Sequence, residues 1–98
     1  MSIDKLTVPI RGAIRRYIFD GVQPGHFLTE VIQDNLFGAV AQADENSMKS
    51  LRTITQLFYN RCPSQCWGSE KKMKTWVSMS EMERAKITRN FKSDLAYL

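Results

Sequence analysis

The sequence predicts an all-α protein, a compact bundle of four or five short helices in one domain spanning residues 1–98. Two observations carry that prediction. Apolar residues recur at i, i+3, i+4 and i+7 in segment after segment, the period of one helix face. Nowhere do four to eight β-branched residues alternate between turn signals, as a half-buried strand requires. A length of 98 residues suits a single core that folds without metal or disulfide support.

The first helix is expected over residues 9–20, with Thr7 as cap, Pro9 in the first turn and Ile10, Ala13, Ile14, Tyr17 and Ile18 as its apolar face. Gly21 supplies the left-handed position that ends it. Gln23-Pro24-Gly25-His26 reads as a type II turn, Pro24 presetting φ and Gly25 accepting a positive one. A second helical period follows through Val31, Ile32, Leu36, Ala39 and Val40, with a break expected near Asp34, where Asp-Asn and Gly38 interrupt the helix formers. Asp44-Glu45-Asn46-Ser47 offers caps to a third helix carrying Met48, Leu51, Ile54, Thr55, Leu57 and Phe58 and ending near Asn60. Beyond a loop, Ser69 caps a short helix with Met73, Trp76 and Val77. Ser78-Met79-Ser80-Glu81 then has the form of a capping box before Met82, Ala85, Ile87, Phe91, Leu95 and Leu98. The Met and aromatic residues are expected in the core.

Composition narrows the function classes. Hydrophobic residues make up 43% and charged residues 24%, an ordinary globular balance. No run reaches the ~18 apolar residues of a membrane span, and Met1-Ser2-Ile3-Asp4-Lys5 lacks a signal-peptide core, so a cytoplasmic location is expected. Cys62 and Cys66 read as packing thiols, a redox pair or metal ligands. The single His26, distant in sequence, leaves any zinc site short of ligands, so no metal and no cofactor are expected.

No phosphate-binding glycine motif is present, and His26 stands without a nucleophile and orienting group, which argues against an enzyme. Asp44 and Glu45 read as helix-cap acids. The formal charge of +4 falls entirely after residue 60, where Lys71, Lys72, Lys74, Arg84, Lys86, Arg89 and Lys92 form either a solvated face or phosphate contacts for nucleic acid. Glu70, Glu81 and Glu83 dilute that face.

The richest connection is 59–69, Tyr-Asn-Arg-Cys-Pro-Ser-Gln-Cys-Trp-Gly-Ser. Tyr59, Asn60 and Trp67 offer flat and polar faces to a ligand or partner, and Ser64, Gly68 and Ser69 offer backbone N–H groups at a helix start beside Lys71 and Lys72. The same residues read equally as a core plug at Trp67 and a simple cap at Ser69.

Two blocks, Gly21-Val22-Gln23-Pro24-Gly25-His26-Phe27-Leu28 and Tyr59-Asn60-x-x-Pro63-x-x-Cys66-Trp67-Gly68-Ser69, with Asp44 and Asn46 between them, resemble a family of small proteins encoded by bacteriophages and other bacterial mobile elements. The likeness covers residues 8–77 and leaves 79–98 as a C-terminal helical extension. It implies a setting, the bacterial host cytoplasm, and an accessory role: counter-defence or host modulation by sequestering a host or defence protein or a small anionic nucleotide. No catalytic residue carries over. The alternative expectation is a nucleic-acid-binding protein that uses the basic C-terminal helices.

Overall fold

Thr7 accepts a hydrogen bond from the Ile10 amide and opens α1 (Val8–Asp20) in the computed structural model, which describes residues 5–91, Leu95 and Leu98. The other elements are α2 (His26–Ile32), α3 (Leu36–Gln42), α4 (Glu45–Arg61), α5 (Glu70–Ser78) and α6 (Glu81–Thr88), with short 3-10 turns at Ser64–Cys66 and Arg89–Phe91. Among the described residues the fold is all-helical, as the apolar periods require. Six α-helices among the described residues stand against the expected four or five, because the second helical segment is cut completely in two. Asp34 takes a left-handed φ of 60°, and its neighbour Asn35 caps α3 by accepting from the Gly38 amide.

Side-chain caps fix most of the starts. Asp44 accepts from Ser47 at 2.7 Å, which holds its carboxyl below the ordinary range, and Ser69 accepts from Lys72. The last cap differs from expectation. Ser80, not Ser78, takes the Glu83 amide, while the Ser78 hydroxyl turns back to Thr75 at the end of α5.

The type II turn is also overturned. Gly25 has φ −66° and ψ 178°, so it is the extended cap of α2 and needs no left-handed conformation. The positive φ belongs instead to Gly21 and Gly68, at 68° and 117°.

The core gathers Ile14, Tyr17 and Ile18 from α1, Ile32 from α2, Ile54 and Leu57 from α4, and Met73 and Trp76 from α5. Not every Met and aromatic joins it: Met48, Met82, Tyr59 and Phe37 are exposed. Within the segment read as a C-terminal extension, α6 packs on α1 and Leu95 is buried in the core.

The tie between them is Arg84. It is 6% exposed, and its guanidinium donates to the carbonyls of Phe19 (3.5 Å), Asp20 (3.1 Å), Trp76 (3.2 Å) and Met79. The Trp76 indole N–H donates to the Tyr17 and Ile18 carbonyls at 3.1 and 3.2 Å. Thus terminal carbonyls of α1 are bonded by two side chains from the far end of the sequence, the Tyr17 carbonyl accepting from the Gly21 amide as well. The cation also sits where the helix dipoles of α1 and α5 are negative. Gly21 permits the approach: a Cβ there would lie 2.5 Å from an Arg84 nitrogen.

Candidate functional site

The connection after α4 is pinned on both sides of Trp67. Cys62 leaves the helix with extended backbone, Pro63 begins the 3-10 turn, and buried Cys66 donates its S–H to the Pro63 carbonyl at 3.1 Å. The Cys66 carbonyl accepts the Tyr17 hydroxyl at 2.6 Å. Burial, reinforced by the adjacent Cys66 and Cys62 thiols, pushes the Tyr17 phenol well above its ordinary pKa, so it remains a donor. On the other side, the Gly68 amide donates to the Ile32 carbonyl at 2.7 Å and ties the loop to the end of α2. Cys62 and Cys66 are buried and not joined in a disulfide, the environment of packing thiols.

Held between these anchors, Trp67 meets Tyr59 from the last turns of α4 with ring centroids 5.9 Å apart and planes tilted by 54°. With Phe58 they wall a recess of about 340 Å³ between α4 and the α2–α3 corner. Val31 completes the apolar lining, and Asp34, Thr55, Gln56 and Asn60 bring the polar groups. Asp34 is the one charged residue in that lining. The Trp67 indole N–H is sealed from solvent and has no hydrogen-bond partner among the described residues.

The recess does not stand alone. Val31, Asp34 and Thr55 also line a smaller hollow with Asn35, Leu36, Ala39 and Leu51, so the two hollows adjoin in a groove between α4 and α2–α3. The helices beside it expose Leu36, Val40, Met48, Tyr59 (74% exposed) and Phe37 (88%). That is an unusual concentration of large apolar side chains in contact with water.

Of the residues singled out in sequence, Tyr59, Asn60 and Trp67 come together in the recess. Ser64 is exposed on the 3-10 turn and lies outside the lining. Ser69 and Lys71 line a separate shallow depression with Glu70, Lys74 and Thr75. Lys72, exposed on α5, lines neither.

Of the amides expected at that helix start, the Gly68 N–H donates to the Ile32 carbonyl, and the Ser69 hydroxyl accepts from the Lys72 amide. An acid stands at that helix start as well. Glu70 pairs with Lys74 at 2.6 Å, and the ammonium holds its carboxyl below the usual range. Of the basic residues, Arg84 is buried and Lys74 pairs with Glu70, while Lys71, Lys72, Lys86 and Arg89 are exposed. Asp34, Val31, Thr55, Gln56 and Phe58 were not singled out as site residues. Thr55 and Tyr59, one helical turn apart on α4, were the available signal for a shared face.

No group of three or more His, Cys, Asp or Glu side chains among the described residues could hold a metal ion. No helix there is long and apolar enough to cross a membrane. No protein-family model, curated protein or solved structure matches the chain.

Proposed function

We propose that this chain is a non-enzymatic binding module that captures a segment of a partner protein in the groove between α4 and α2–α3. The observation that carries the reading is the coincidence of an open apolar groove with the exposed side chains of Leu36, Phe37, Val40, Met48 and Tyr59 on the helices that form it. Covering such side chains is the main source of association free energy, at roughly 25 cal/mol per Å² before the costs of binding. Of the two ligand classes that the family resemblance brings, a host or defence protein fits this groove better than a small anionic nucleotide. Asp34 lines the recess and no Lys or Arg does, so a phosphate would meet a like charge. The resemblance to phage and mobile-element proteins supplies the setting, sequestration of a host component in the bacterial cytoplasm. Burial of Arg84 and pairing of Lys74 weaken the nucleic-acid alternative.

Affinity capture of a partner with matched variants tests the proposal. Phe37→Ser, Leu36→Asp and Trp67→Ala should each lose the captured protein with the helical spectrum intact. Lys71→Glu with Lys72→Glu should retain it. The opposite pattern would move the interface to the basic face of α5 and end this reading.

A further inference from the structure

Resting on that reading, we infer that the recess beside Trp67 receives a basic side chain of the captured segment, the alkylammonium of a lysine or the guanidinium of an arginine. Three features of the lining converge on a cation. Phe58, Tyr59 and Trp67 provide aromatic surface, whose ring faces are electronegative and attract a cation held above them. Asp34 supplies a full negative charge at the same place, and no basic residue of the lining opposes it. The rest is apolar or neutral, matching the methylene stem that carries such a charge.

The charge pattern makes this selective. The protein carries a formal +4, so its general field draws acidic partners, whereas this recess is lined by a single charge of the opposite sign. A lysine or arginine seated here is therefore chosen by the local lining and against the net field.

The backbone at Asp34 sets it apart from the other exposed acids. It holds a φ of 60°, a region that Asn and Asp enter more readily than most residues, and in doing so turns the chain from α2 into α3 at the rim of the recess. Because Asn tolerates this conformation, Asp34→Asn removes the charge and keeps the corner.

The test is a titration followed by two-dimensional amide and indole NMR, with N-acetyl-lysine methylamide and N-acetyl-arginine methylamide as probes. N-acetyl-norleucine methylamide serves as the uncharged isostere, and AMP as the anionic control. The basic probes should shift the Asp34 and Tyr59 amides and the Trp67 indole N–H saturably, with an affinity about fivefold or more above that of norleucine. Asp34→Asn, with an unchanged helical spectrum, should erase that preference. Equal binding of norleucine, stronger binding of AMP at the same residues, or an undiminished preference in Asp34→Asn would each overturn the inference. If groove variants lose the partner while Asp34→Asn captures it normally, the cation site is refuted and the groove reading stands. If the basic probes bind with the stated preference while groove variants still capture the partner, the cation site stands and the groove reading falls.

Discussion

Trp67 precedes α5 and Trp76 lies near its C-terminal end, yet their indole N–H groups meet opposite fates. Trp76 is fully buried and donates to two carbonyls of α1, whereas the Trp67 N–H is buried with no partner among the described residues. The contrast extends to their surroundings. Around Trp76, Arg84 bonds the remaining carbonyls and Gly21 makes way for it, so the polar groups of that end are matched. Around Trp67 lie an open groove, a left-handed Asp34 and helices with exposed apolar side chains. One end is closed by hydrogen bonds made across the whole sequence. The other keeps apolar surface uncovered, which is what a binding surface requires.

The largest expected effect lies at the closed end. Arg84→Ala leaves carbonyls of Phe19, Asp20, Trp76 and Met79 without this donor and should cost roughly 3 kcal/mol or more in denaturant-monitored unfolding. A loss under ~1 kcal/mol would mean that water replaces the guanidinium, and the two ends would no longer differ in kind. Next comes Trp76→Phe, which keeps most of the ring but removes the donor from Tyr17 and Ile18, for a loss of about 2 kcal/mol. The matched change at the open end, Trp67→Phe, removes a buried donor that has no partner and should leave stability unchanged or raise it by up to ~1 kcal/mol. A loss equal to that of Trp76→Phe would make both tryptophans scaffold. The smallest effect is Gly25→Ser, within about 0.5 kcal/mol of neutral, because the residue has ordinary φ, open space around a new Cβ and a cap position that favours serine. A large destabilisation there would restore a strained turn before α2.

Local signals were legible wherever a residue acts on its own neighbourhood. Thr7, Asp44 and Ser69 cap the helices they precede, Gly21 ends α1, and the break at Asp34 falls where good helix formers run out. Arg84 was not legible, since a cation among Glu81, Glu83 and Lys86 looks like solvated surface until the end of α1 arrives from 64 residues away. Gly25 misled for a related reason. Pro-Gly permits a type II turn, but the start of α2 claims Gly25 as its cap. Tyr59, Asn60 and Trp67 were readable as a site from their clustering in sequence. Val31 and Asp34 were not, because α2 reaches that loop through tertiary contacts, the Gly68 to Ile32 hydrogen bond and core packing among them.

The hold of Trp76 and Arg84 on α1 sets an order of events during synthesis. The N-terminal helix emerges from the ribosome first, but the side-chain donors for the carbonyls of Ile18, Phe19 and Asp20 arrive only with the last third of the chain. Helix α1 can form early and still has no finished end until α6 is out, so the native fold closes late and nearly all at once. A nascent chain stopped before Arg84 already carries the groove residues of α2, α3 and α4 but lacks the clasp that holds the opposite end shut.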